Sequence, residues 1–75
     1  MTRLSSENII NVKRFKKYGE DRKFIVVLKG IETREYNTND WHTLPKVVQN
    51  FILNHKEESF MGSGRDGYSA VWYRA

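Results

Sequence analysis

The 75-residue sequence contains no cysteine, which excludes disulfide bonds and zinc sites built from thiolates. Secreted domains of this size usually depend on such cross-links, so we expect an intracellular protein located in the cytoplasm. Long apolar runs are also missing. The longest, Phe24–Leu28, is far shorter than the ~20 residues that a membrane-spanning helix needs. Residues 1–6 are followed by no apolar run long enough for a signal peptide, so we expect none. We therefore expect no membrane association.

Catalytic and metal-binding patterns are missing too. His42 and His55 are the only two histidines, and neither has further ligands at a spacing that would hold zinc. No serine has an identifiable base partner, and no acid–base pair of carboxylates can be assigned. A chain this short can hardly enclose a pocket of ordinary size. We therefore expect no enzymatic activity, no metal and no cofactor.

The composition predicts one small globular domain over residues 1–75. Apolar residues make up 39% of the chain and charged residues 29%, which is enough hydrophobicity to argue against a wholly disordered chain. A domain of this size has a small core and modest stability. Residues 1–7 are polar and are expected to be frayed. We expect the domain to be a monomer or a weak dimer.

Residues 8–18 are ambiguous between helix and strand. Their β-branched and aromatic content favours a strand, and a bulge near Lys13 would reconcile the two faces of that strand. The next residues, 18–22, predict a hairpin turn with Gly19 in a left-handed conformation. The segment is therefore interpreted as the first strand of a hairpin.

The strand with the strongest signal is Lys23–Lys29, which holds five consecutive apolar residues. A continuous apolar run implies burial on both faces, as in a central strand or one covered by a helix. Gly30 marks a bend. The alternating residues 31–36 then predict a short, partly exposed strand.

One amphipathic helix is predicted after this strand. Thr43 is its expected N-cap, and Pro45 lies in the first turn, where its missing N–H does no harm. Phe51 is expected to pack against Val26 or Leu28. The apolar stripe of the helix has the i, i+3, i+4 spacing of one buried face and consists of Leu44, Val47, Val48, Phe51, Ile52 and His55.

The C-terminal segments 58–61 and 68–74 predict two more strands, the second of them rich in β-prone residues. The order is then β-β-β-α-β-β. It predicts the α+β class: a small antiparallel sheet, made of three N-terminal strands and a C-terminal hairpin, with one amphipathic helix packed on one face.

The net charge of +4 is distributed unevenly, because residues 1–30 hold eight Lys/Arg against three Asp/Glu. A basic segment beside a neutral remainder favours an anionic partner. On a hairpin, its cations can follow phosphates while an aromatic ring stacks on an unpaired base. We therefore expect a small nucleic-acid-binding module, with single-stranded DNA or RNA favoured. A solvated edge that discourages aggregation is the alternative. The candidate binding residues are Lys13, Arg14, Phe15, Lys16, Lys17, Tyr18, Arg22 and Lys23.

A second cluster is aromatic and lies in the last twenty residues: Phe60, Tyr68, Trp72 and Tyr73. Packing under the helix is one interpretation. The other is an interaction surface for a protein partner. In that case the chain would be an inhibitor or adaptor, of the kind found among small accessory proteins of bacteria and phages. Tyr68, Ala70 and Trp72 share one strand face, and one helix cannot cover both faces of a sheet, so we expect some aromatic surface to be exposed.

The segment Gly62–Gly67 matches the pattern G-x-G-x-x-G. A dinucleotide site is excluded, because that pattern needs a following helix within a βαβ unit. A mobile hairpin loop is the default interpretation. Backbone N–H groups around Gly64, together with Arg65, are a candidate anion-binding loop.

Overall fold

The computed structural model describes residues 2–63 and 67–75, with the backbone alone for residues 58–61 and 63. One α-helix, α1 (Lys46–Asn54), and two short 3-10 helices, Ser6–Asn8 and Trp41–Thr43, accompany a single antiparallel sheet. The five strands are β1 (Ile9–Lys17), β2 (Glu20–Leu28), β3 (Glu32–Tyr36), β4 (Glu57–Ser63) and β5 (Tyr68–Arg74). This confirms the predicted α+β class and the order β-β-β-α-β-β.

The strand order in the sheet is β3-β2-β1-β5-β4. The first three strands pair with their neighbours in sequence. The C-terminal hairpin then returns, and β5 pairs antiparallel with the free side of β1. β1 is therefore the central strand, and its side chains have direct neighbours from both ends of the chain.

The hydrophobic core lies between α1 and one face of the sheet. Leu44, Val48, Phe51 and Ile52 of the predicted stripe are buried there, with Phe51 only 2% exposed, whereas Val47 and His55 are half-buried. Phe51 belongs to the same cluster as Val26 and Leu28, which agrees with its expected packing. The core residues are Ile9, Val12, Phe24, Val26, Leu28, Leu44, Val48, Phe51, Ile52, Val71 and Tyr73.

Burial of β2 on both faces was expected, and the structure shows it for one face alone. Phe24, Val26 and Leu28 are buried under α1, whereas Ile25 and Val27 point to the other face and are half-buried. The physical reason is that a single nine-residue helix covers one side of a five-stranded sheet. The second face keeps apolar surface in contact with solvent.

The bulge in β1 lies at Ile10 and not near Lys13. Ile9 and Asn11 pair with successive residues of β2, so Ile10 is an extra residue in the ladder. The extra residue places Ile9 and Val12 on the same, buried side of the sheet. From Val12 onward, alternate residues of β1 point to opposite faces.

The start of α1 also differs from the prediction. Thr43 belongs to the second 3-10 helix, whose first turn is capped by Asp40: its carboxylate accepts a hydrogen bond from the His42 N–H at 2.9 Å. Pro45 is the residue that precedes α1. The helical conformation is disfavoured for a residue that precedes proline, and Leu44 is accordingly extended.

No helix in the described part of the chain has the length and apolar character needed to cross a membrane.

The N-terminal segment was expected to be frayed, and from residue 2 onward it is instead held to the β2–β3 turn. The Thr2 N–H donates to the Glu32 carboxylate at 2.7 Å, and the Thr2 hydroxyl donates to the Lys29 carbonyl at 3.0 Å. Arg34 donates to the Thr2 carbonyl at 2.7 Å, and Leu4 packs against the core. The hydrogen bond from Thr2 lowers the pKa of Glu32.

The strand predicted over residues 31–36 begins at Glu32, because Ile31 belongs to the preceding turn. Gly30 and Ile31 both have left-handed backbones, with φ of 81° and 64°. Gly30 adopts this conformation readily. For a β-branched residue it costs roughly 1–2 kcal/mol, and Ile31 recovers little of this through packing because it is 93% exposed.

Ile31→Asn is therefore expected to stabilise the protein. Asparagine tolerates the left-handed conformation, so the substitution should raise the free energy of unfolding by about 1 kcal/mol and the melting temperature by about 4–8 °C. Thermal unfolding followed by circular dichroism measures this. Leu53→Asn is the control, because Leu53 is 72% exposed but lies in α1. An equal rise in both variants would show that added polarity, and not backbone strain, is responsible.

Candidate nucleic-acid interface

We call the sheet face that points away from α1 the open face. Because side chains alternate along each strand, its members follow from the strand register. They are Asn11, Lys13, Phe15 and Lys17 of β1, Lys23, Ile25 and Val27 of β2, Thr33 and Glu35 of β3, and Tyr68, Ala70, Trp72 and Arg74 of β5. The face combines residues from both ends of the chain.

Three lysines of the open face each lie over an aromatic ring on a neighbouring strand. The distances from Nζ to the ring centre are 5.6 Å for Lys13 and Trp72, 4.8 Å for Lys17 and Tyr68, and 5.1 Å for Lys23 and Phe15. In each pair the two residues are direct cross-strand partners. The distances are within the range of cation–π attraction. We refer to these as the three lysine–aromatic pairs.

Positive charge dominates the open face. Its described cations are Lys13, Lys17, Lys23 and Arg74. Glu35 lies towards the edge, with its Oε1 at 3.9 Å from Nζ of Lys23. At the hairpin end, Glu20 is paired with Arg22 at 3.4 Å. Exposed ion pairs of this kind are weak, so the face keeps a surplus of positive charge.

Arg14 and Lys16, two of the predicted binding residues, lie on the other side of the sheet. Arg14 donates from Nε and Nη2 to the two carboxylate oxygens of Asp21, at 2.7 and 2.8 Å. Its guanidinium also lies 5.5 Å from the ring centre of Phe24 and 5.2 Å from that of Trp41. The hydrogen bond with Asp21 raises the pKa of Arg14 in spite of its partial burial. Arg14 therefore anchors the helix side of the sheet and is not available on the open face.

Tyr18 and Arg22, the other predicted residues, lie at the tip of the β1–β2 hairpin. Tyr18 and Gly19 form the turn with φ of 51° and 80°, as the predicted left-handed glycine requires. Tyr18 is 75% exposed, and its N–H donates to the Gly67 carbonyl at 2.9 Å. Its ring lies against Gly67, where a Cβ would collide with it. Tyr18 is thus exposed but belongs to the turn and not to the strand ladder.

The open face also contains residues that the predicted basic hairpin lacked, among them Tyr68, Trp72 and Asn11. Tyr68 and Trp72 had been assigned to a separate, aromatic surface, and Asn11 was not singled out. The indole Nε1 of Trp72 and the amide Oδ1 of Asn11 are buried atoms with no hydrogen-bond partner among the described residues. Such atoms are uncommon.

The remaining predicted residues do not belong to this face. Tyr73 is 8% exposed and lies in the core. Gly64 and Arg65 lie outside the described residues, as does the side chain of Phe60. Within the described part of the chain, no cluster of three or more His, Asp or Glu side chains has the arrangement of a metal site.

The open face brings three lysine–aromatic pairs and surplus positive charge onto one surface. Its interpretation depends on this chemistry alone, because no known protein family, no curated protein and no solved structure matches the chain.

Proposed function

We propose that this chain is a non-enzymatic, cytoplasmic module that binds single-stranded nucleic acid through the open face. The observation that carries the proposal is the set of three lysine–aromatic pairs, each made of direct cross-strand partners. Of the basic segment predicted from the sequence, the proposal keeps Lys13, Phe15, Lys17 and Lys23, and it adds Tyr68 and Trp72 from β5.

Each component of a lysine–aromatic pair matches one component of a nucleotide. A lysine ammonium group neutralises a phosphate and releases its counterions. An aromatic ring stacks on a base, which contributes ~1–3 kcal/mol per base with little dependence on sequence. Tyr68 is 48% exposed, and Phe15 and Trp72 are partly exposed, so all three rings have surface that a base can cover.

A single strand suits this surface better than a duplex or a protein. The rings stand on the flat side of a sheet, and a base can stack on them only when its own face is not covered by a neighbouring base pair. A protein partner remains the alternative, because Ile25 and Val27 add apolar surface to the open face. The surplus of cations on this face favours the polyanion.

The direct test measures binding to single-stranded and duplex oligonucleotides, of both DNA and RNA, over a series of salt concentrations. We expect single strands to bind more tightly than duplexes. Three phosphate contacts should give a slope of about −2 for the logarithm of the binding constant against that of the salt concentration. Absence of binding to every nucleic acid at low salt would refute the proposal and leave the protein-interaction module as the better interpretation.

Adjacent lysines provide a matched pair of variants within this test. Lys17 lies on the open face and Lys16 on the helix side, although the two are neighbours in sequence with the same charge. Lys17→Ala is expected to flatten the salt slope by about 0.7, whereas Lys16→Ala should leave it almost unchanged. Equal effects of the two substitutions would show that binding follows the charge of the hairpin as a whole and not the open face.

A further inference from the structure

We propose that the open face binds three consecutive nucleotides of a single strand, one on each lysine–aromatic pair. This inference rests on the proposed function and adds to it the length and path of the bound strand. It follows from the positions of the three rings in the sheet and from the lysine that accompanies each of them.

The three rings are evenly spaced along the strand direction. Tyr68 and Trp72 are four residues apart on β5, which separates them by ~13 Å. Phe15 of β1 pairs with Ala70, the residue midway between them. The rings therefore follow one another in steps of ~7 Å, with Phe15 displaced sideways by one strand spacing of ~5 Å. An extended single strand running along the boundary of β1 and β5 meets them in the order Tyr68, Phe15, Trp72.

The charges repeat with the same period as the rings. Lys17 is the direct cross-strand partner of Tyr68, Lys23 of Phe15, and Lys13 of Trp72. One nucleotide consists of one base and one phosphate, so each ring with its lysine offers the complement of one nucleotide. Three such units predict a site of three nucleotides, with stacking on every base.

Tyr68 is the last ring of the site at the end of the sheet near the β1–β2 hairpin turn. The next exposed aromatic residue there is Tyr18, but it lies in the hairpin turn with φ of 51°, and its ring lies against Gly67. Nζ of Lys17 lies 5.8 Å from its ring centre but is closer to that of Tyr68, at 4.8 Å, and Tyr18 has no cross-strand partner in the ladder that orders the other three rings. We therefore expect Tyr18 to contribute little to stacking, which makes it a suitable aromatic control.

The experiment is a titration of the protein with oligothymidylates of one to six nucleotides at low salt, followed by NMR chemical shifts, which report weak binding. Affinity should rise by about fivefold or more for each base that gains a ring. The steep rise should stop at three nucleotides and continue only gradually for longer chains.

Replacing single aromatic residues by leucine tests the path of the bound strand across the open face. Tyr68→Leu removes an end ring, so the steep rise should stop at two nucleotides. Phe15→Leu removes the middle ring and should weaken every oligothymidylate of two or more nucleotides. Tyr18→Leu should change neither. Because Tyr68 is 48% exposed, its variant keeps the fold intact, which the spread of amide NMR signals verifies.

The outcomes separate this inference from the proposed function. If six thymidylates do not bind at low salt, the proposed function itself is wrong. If they bind but the steep rise stops elsewhere, or Tyr18→Leu shortens it, the three-nucleotide site is wrong while nucleic-acid binding stands.

Discussion

Phe51→Ala is expected to leave the protein largely unfolded. Phe51 is 2% exposed and lies in the core between α1 and the sheet. Truncation of a buried phenylalanine costs ~3–5 kcal/mol, through lost apolar burial and the cavity that remains. A single core of this size rarely supplies more than about 3–5 kcal/mol in total. Urea unfolding followed by circular dichroism measures the loss.

The control for this prediction lies two residues further along the same helix. Leu53 is 72% exposed, so Leu53→Ala should change the free energy of unfolding by no more than about 0.5 kcal/mol. A Phe51→Ala protein that unfolds at the urea concentration of the wild type would mean that the buried face of α1 is assigned incorrectly.

The largest expected effect on binding comes from removing the charge of all three lysine–aromatic pairs. Glutamine is a suitable replacement for Lys13, Lys17 and Lys23, because it keeps a long polar side chain without the charge. If each lysine neutralises one phosphate, the triple variant should lose about 2 units of salt slope. Affinity for single strands at low salt should fall accordingly, since electrostatic binding is strongest there. Fluorescence anisotropy of a labelled oligonucleotide over a salt series measures both quantities.

A second triple variant separates local contacts from overall charge. Lys29, Lys46 and Lys56 are exposed and lie outside the open face, and their replacement by glutamine lowers the net charge by the same amount. This control should bind nearly as well as the wild type, with nearly the same salt slope. If the two triple variants weaken binding equally, the open face is not the binding surface.

The sequence determined the elements whose signals are local. The apolar run of β2 predicted a strand and the stripe of α1 predicted a helix with one buried face, because side-chain direction depends on backbone geometry over a few residues; burial of the second face of β2 did not follow. The same holds for the turn at Gly19, where a left-handed backbone favours glycine. The α+β class followed from these elements, and so did a basic segment that includes Lys13, Lys17 and Lys23.

Which of the basic residues share a face was decided by tertiary structure. The bulge at Ile10 sets the direction of every later side chain in β1, and no local pattern distinguishes that position from one nearer Lys13. Arginine is a common phosphate-binding residue, yet Arg14 is held by hydrogen bonds to Asp21 on the helix side. Asp21 lies on β2, and the pairing of β1 with β2 shifts by one residue between Phe15 and Lys16. The sequence does not reveal this shift.

The candidate site itself exists only in the folded chain. Lys17 and Tyr68, or Lys13 and Trp72, are more than fifty residues apart in sequence and become direct neighbours because β5 pairs with β1. The sequence alone therefore suggested two separate surfaces, a basic hairpin for nucleic-acid binding and an aromatic C-terminal strand for a protein partner. Local propensity determines that both segments are strands, but long-range hydrogen bonding and burial of the common core determine which strands are adjacent.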